Sequence, residues 1–287
     1  MATDKPIYIS LEEVLSNKLG SRSRFIPGWV VRWLEKVICQ EQMNALLRDT
    51  FPAEGADFCR AVLHRLDISA KLVHPELLPT DSRCIFISNH PLGGLDGMII
   101  IAILSSRYPD RTVRFIVNDL LMAIKPLSPV FVPVNKHGAQ SRSSRELLDE
   151  VMAGDDPVVI FPAGLVSRKA RGGAVKDLEW KKMFASKAAA HRRDVVPMYI
   201  DGQNSPFFYN FARWREKSGL KLNIEMVRLP AEVFRCGGTT FPIVCGSRIP
   251  WQFFTHSKEI HLQATIAREM TYSLAADAQQ PGEIIHF

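Results

Sequence analysis

Two residues carry the chemistry most visible in this sequence, His90 and Asp96, with five residues between them. They sit in the stretch I-F-I-S-N-H-P-L-G-G-L-D-G, residues 85–97. The apolar run at 84–88 has the length and β-branched content of a buried strand, and Asn89 and His90 end it. Pro91, Gly93 and Gly94 make the next segment a loop, because proline fixes φ and glycine permits positive φ. A second apolar run, residues 98–104, reads as a buried helix with Asp96 at its start, where Asp is a favoured N-cap. A tight loop of this kind brings an imidazole to a carboxylate. A neutral His can take a proton from a hydroxyl, while a carboxylate on its other nitrogen fixes the tautomer and supports the imidazolium. The chain has no G-x-S-x-G elbow to present a nucleophilic serine. The reading is therefore direct transfer to a hydroxyl that His90 activates. A loop histidine and a simple helix cap are the plainer alternative for the same two residues.

A second motif lies downstream at residues 158–168, V-V-I-F-P-A-G-L-V-S-R. It too is a buried strand that breaks into a Pro/Gly turn. Arg168, Lys169, Arg171 and Lys176 follow around Gly172-Gly173, a basic loop suited to phosphate or to the acidic face of a carrier protein, or else simply solvated. A third stretch, Val195-Val196-Pro197-Met198, is another buried strand. In this order, the three resemble the glycerolipid acyltransferase family, which carries N-H-x4-D, then F-P-E-G-x-R-S, then a V-P-hydrophobic strand. The resemblance spans residues 84–201. It implies His90 as general base and Asp96 as its orienter. It places Asn89, Phe161, Pro162 and Gly164 at the substrate, with amides near Gly164 facing the thioester oxyanion. It also implies a fatty acyl thioester on acyl carrier protein or coenzyme A as co-substrate, a lysolipid acceptor, and no metal or other cofactor.

The departures from that pattern bear on the acceptor. One extra residue separates His90 from Asp96, which Gly93-Gly94 can absorb as a bulge. The Glu of the F-P-E-G box is Ala163, and the family's phosphate-binding Arg falls at Lys136. These changes leave acyl transfer intact and turn the expectation from lysophosphatidate towards a lyso-glycine or lyso-ornithine lipid. The carboxylate of such a head group would meet Arg168, Lys169 or Arg171. Lysophosphatidate acylation, lipid hydrolysis with His90 activating water, and a non-catalytic lipid-binding role are the alternatives.

The elements that position these motifs follow from periodicity. Strands are expected at residues 84–88, 113–117, 130–134, 158–161, 195–200, 222–227 and 241–245. Helices are expected at 97–106, 119–124, 143–153, 177–191, 206–217 and 256–276. Alternation of this kind predicts an α/β domain with a mostly parallel central sheet flanked by helices. Upstream, residues 7–19, 29–38, 41–48 and 57–66 read as helices. The prolines at 75–79 suggest a boundary between an N-terminal helical segment, 1–75, and an acyltransferase domain, 76–287. On the helix near Trp29, residues Ile26, Trp29, Val30, Trp33, Leu34 and Val37 share a face, with Arg22, Arg24, Arg32 and Lys36 nearby. That pattern fits a helix lying in a membrane interface, or an amphipathic helix covering a core. Most of the aromatics at 207–214 are expected in the core, the alternative being that they line an acyl groove or touch lipid.

Composition bounds the rest. The 287 residues are 46% hydrophobic and carry a formal charge of +6, which suits an anionic membrane face, an acidic carrier or a phosphate-bearing substrate. No zinc-finger spacing, RNP-like box or basic repeat points to nucleic acid. Five widely spaced cysteines with no C-x-x-C indicate neither a disulfide framework nor a zinc site. The first residues lack the form of a signal peptide, and no apolar run approaches the ~18–20 residues that span a bilayer. The expectation is a peripheral protein on the cytoplasmic face of a membrane.

Overall fold

The structure, a computed structural model, describes residues 8–20, 25–118, 121–122, 124–134, 142–169, 173–219, 223–254 and 259–287. In chain order the elements are α1 (Leu11–Leu19), α2 (Gly28–Val37), α3 (Gln40–Thr50), α4 (Gly55–Arg65), β1 (Ser69–Val73), β2 (Cys84–Ser88) and α5 (Gly94–Arg107). There follow β3 (Arg114–Asn118), β4 (Phe131–Val134), α6 (Arg142–Ala153), β5 (Val158–Ile160), β6 (Arg168–Lys169), β7 (Val175–Lys176) and α7 (Met183–His191). The chain ends with β8 (Asp194–Ile200), α8 (Pro206–Lys217), α9 (Leu229–Arg235), β9 (Thr240–Cys245), α10 (Ile260–Ser273) and β10 (Glu283–His286).

Eight strands form one sheet in the order β10-β1-β9-β8-β2-β5-β3-β4. The pairs β1/β9, β2/β8, β2/β5, β3/β5 and β3/β4 are parallel. Only β8/β9 and the edge pair β1/β10 run antiparallel. The sheet is thus mostly parallel and covered on both faces, as strands without an exposed polar side require. Phe86, Val159 and Val196 point into a core shared with α4 and α5, while Ile85, Val158 and Val195 point into another shared with α7 and α10. Helix α5 is the most apolar layer; Leu95 and every residue from Ile99 to Leu104 are buried.

Several sequence expectations change here. Strand β1 lies inside the sheet, so the proposed break at 75–79 falls between two strands of a single layer. Both β1 and β10 escape notice in the sequence because each is short and has no clean apolar/polar alternation. The strand expected at 222–227 is instead a 3-10 turn, Ile224–Arg228, leading into α9. Helix α7 begins at Met183 rather than near 177, because Asp177 and Trp180 are engaged in loop contacts. The helix expected at 119–124 lies largely outside the described residues. Arg193, fully buried with no carboxylate bonded to it, donates to the carbonyls of Val151, Met152 and Gly154, closing the C-terminal turn of α6.

Candidate active site

Sheet register brings the two motifs together. In the parallel pair β2/β5, Ile85 faces Val158 and Ile87 faces Ile160. His90 and Phe161 therefore leave the sheet at the same carboxyl end, where open α/β sheets place their ligands. Their rings stack, with centroids 4.2 Å apart and planes at 16°. Phe115 meets the Phe161 ring edge-on at 5.2 Å, which fixes its tilt.

His90 Nδ1 lies 2.8 Å from Asp96 Oδ2. Asp96 is not the N-cap of α5. It stands at the third position of the helix, Gly93 takes the cap, and its carboxylate reaches back to accept the amides of Leu92 at 2.9 Å and Gly93 at 3.0 Å. Gly93 has φ +80, and a Cβ there would lie 2.9 Å from Leu229 Cδ2. The extra residue of the H-x5-D spacing is thus absorbed in a left-handed turn that only glycine enters without strain. Asp96 has no exposure, and its Oδ1 has no hydrogen-bond partner among the described residues. Burial raises the pKa of its carboxyl, while the His90 ring and the two amides oppose the rise. The His90 side chain keeps 17% exposure. With Nδ1 held as the donor, Nε2 carries the lone pair that can accept a proton.

The backbone of His90 is pinned at both ends. Its carbonyl accepts the Ser167 amide at 2.8 Å, and its amide donates to Asp177 Oδ1 at 3.1 Å. Asp177 also accepts from Ser167 Oγ at 2.5 Å and from Trp180 Nε1 at 2.8 Å, and its own amide donates to Tyr272 OH at 2.7 Å. Sequence reading missed this buried carboxylate. Its position in a basic loop gave no sign that it folds back under His90.

The remaining expected site residues divide. Asn89, expected at the substrate, is buried and clamps β2 to β8: its amide donates to the Ile200 carbonyl at 2.9 Å and its oxygen accepts the Ile200 amide at 2.8 Å. That corrects a substrate contact to a structural one. The Gly164 amide, expected near the oxyanion, donates to the Phe161 carbonyl at 2.9 Å in a turn. Phe161, Pro162 and Gly164 line a cavity of about 230 Å³ with Ile116, Val134 and Lys181. Arg168 does not project freely. It binds Glu225 at 2.6 Å, and Arg215 binds the same oxygen at 3.0 Å. Glu225 has no exposure, and Arg168 Nη1 is buried without a partner. Arg215 also meets Glu216 at 3.6 Å, so two guanidiniums share two carboxylates one residue beyond Ser167. Lys136 and Arg171 lie outside the described residues.

Aromatic placement also differs from expectation. Phe208 and Tyr209 are buried, but Phe207 and Trp214 are 56% and 58% exposed. On α2, no residue is buried, and Trp29 and Trp33 stand 67% and 59% exposed. Arg22 and Arg24 lie outside the described residues. None of the described helices is long and apolar enough to cross a membrane.

A buried carboxylate bonded to a histidine at the carboxyl end of a parallel sheet is an arrangement able to move a proton, and the sequence places the chain in a known group. The family described as Acyltransferase matches residues 13–279, and the chain belongs to that family. It is an acyltransferase. The chain is 39% identical over 274 residues to a protein of Phocaeicola vulgatus named lyso-glycine lipid O-acyltransferase, covering 96% of this chain and 98% of that one. It is 38% identical over 274 residues to a protein of the same name from Bacteroides thetaiotaomicron, covering 96% and 100%. Among solved structures, the 1-acyl-sn-glycerophosphate acyltransferase PlsC of Thermotoga maritima superposes with a TM-score of 0.46 at 14% identity, over 88% of this chain and 95% of that one.

Proposed function

We propose that this protein transfers a fatty acyl group from a thioester, carried by acyl carrier protein or coenzyme A, to the hydroxyl of a lyso-glycine lipid. The observation that carries the reading is the 2.8 Å bond between His90 Nδ1 and a fully buried Asp96, in a chain that matches lyso-glycine lipid O-acyltransferases along nearly its whole length. His90 Nε2 takes the proton of the acceptor hydroxyl. The freed oxygen attacks the thioester carbonyl carbon, the C–S bond breaks, and the departing thiolate takes the proton back from the imidazolium. Asp96 holds the tautomer and offsets the charge that forms on the ring. The thioester itself supplies the activation for the transfer.

The cavity beside Phe161 offers apolar walls to a fatty chain, and Lys181 stands at the same space. Arg168, whose Nη1 has no hydrogen-bond partner among the described residues, is a candidate for the carboxylate of the glycine head group. Arg171 and Lys136 are further candidates for that contact. The exposed apolar side of α2 supports peripheral attachment to a membrane surface, since an amphipathic helix covering a core would bury its tryptophans.

The test is a side-by-side assay of the purified protein with one acyl thioester and either lyso-glycine lipid or lysophosphatidate. Faster acylation of the lyso-glycine lipid is expected. A clear preference for lysophosphatidate overturns the acceptor assignment, and free fatty acid released at the same rate without any acceptor overturns transfer in favour of hydrolysis.

A further inference from the structure

Helix α8 carries three aromatic rings in a row along its exposed side. Phe207, Phe211 and Trp214 follow one another at i, i+4 and i+7, so they share a face. Phe207 and Phe211 stack with centroids 6.0 Å apart and planes at 25°; Phe211 and Trp214 stack at 6.0 Å and 10°. The helix is already anchored by its other side, where Phe208, Tyr209 and Ala212 are buried, so the ladder is not needed to hold it. A contiguous exposed apolar patch of this kind on a soluble surface marks an interaction site.

The surroundings are cationic. Arg213 and Lys217 are exposed on the same helix and have no ion-pair partner among the described residues. Arg228 lies over the Phe207 ring at 4.7 Å. The single acid of α8, Glu216, is paired with Arg215 at 3.6 Å. The ladder also has two neighbours that matter. At its N-terminal end, Asn204 Nδ2 donates to the Pro91 carbonyl at 3.0 Å, which ties the start of α8 to the residue after His90. On another side, the Arg228 charge acts on the thiol of Cys39, just past α2, lowering a pKa that burial raises.

We propose that the Phe207–Phe211–Trp214 face of α8 is a second membrane-docking surface, seating in an anionic bilayer beside the His90 loop. The inference rests on the reading of the acceptor as a membrane lipid. Rings of this type enter the interfacial layer, and Arg213, Lys217 and Arg228 meet the anionic head groups. The surface adds an apolar contact with the bilayer on the side of the His90 loop, so the hydroxyl of a lysolipid is presented next to His90 without leaving the membrane.

The test uses the full chain and vesicles of phosphatidylethanolamine and phosphatidylglycerol, 3:1, with brominated acyl chains. Tryptophan emission is compared between wild type and Trp214→Phe; the expected result is a quenched component that disappears in the variant. In co-sedimentation, Phe207→Ser/Phe211→Ser/Trp214→Ser is expected to bind about tenfold more weakly. Transfer to a water-dispersed short-chain acceptor should persist in that variant and be lost in His90→Ala, which separates failure of docking from failure of the acyltransferase reading. Trp214 emission that brominated lipid does not quench overturns the proposal, whatever the triple variant does.

Discussion

Replacing Asp96 by Asn separates what the carboxylate does for the reaction from what it does for the fold. Its Oδ2 accepts three donors, from His90 at 2.8 Å, Leu92 at 2.9 Å and Gly93 at 3.0 Å, while Oδ1 has none. An amide oxygen in place of Oδ2 can keep all three, and the amide nitrogen takes the unpartnered position. The loop therefore stays formed. The charge opposite the imidazolium is lost, however, and the orienter of a proton-transferring His contributes up to about 10⁴-fold in an acyl-transfer triad. Acyl transfer should fall by about 10²–10⁴ with KM for the acceptor little changed. Stability should move the other way. Burial raises the folded-state pKa of Asp96, so the native protein binds more protons than the unfolded chain between the ordinary carboxylate value and the raised one. Wild-type stability from this group is therefore greatest at low pH and declines as pH rises through that window. At neutral pH, Asp96→Asn should melt at or above the wild-type temperature, and its advantage should shrink as pH falls towards the ordinary carboxylate value. The assay is a steady-state measurement of thioester cleavage alongside thermal melts from pH 4 to 8. Activity retained within tenfold, or a large loss of melting temperature at neutral pH, refutes the argument.

Two further outcomes follow from buried carboxylates elsewhere. Asp177→Asn should lower kcat by at least tenfold through the His90 backbone, shift the pH–rate profile and leave acceptor KM near its wild-type value; an unchanged pH profile would reduce Asp177 to a purely structural role. Glu225→Gln leaves two guanidiniums facing each other around a neutral group of no exposure, so urea unfolding should show a loss of about 3–5 kcal/mol, and a loss below 1 kcal/mol would mean that the Arg168 and Arg215 charges are relieved by solvent.

The sequence by itself determined the family and where the candidate chemistry lies. A histidine at the end of an apolar run, a carboxylate at the start of the next, and a Pro/Gly break after a second strand depend on local spacing and local backbone preference. So does α8, whose span 206–217 matches the observed helix. What only the tertiary structure decided is who meets whom. That Phe161 stacks on His90 follows from parallel pairing of β2 with β5, and strand order is a property of the whole sheet. Asn89 and Ile200 are 111 residues apart, and Asn89 reads as a ligand contact until β8 is seen beside β2. Asp177 lies 87 residues from His90 and Glu225 lies 57 from Arg168, so neither carboxylate could be assigned to its partner from spacing. The aromatic segment at 207–214 shows the limit most plainly. Composition cannot say which rings a helix buries, because that depends on where its neighbours stand; packing took Phe208 and Tyr209 into the core and left Phe207 and Trp214 facing outward.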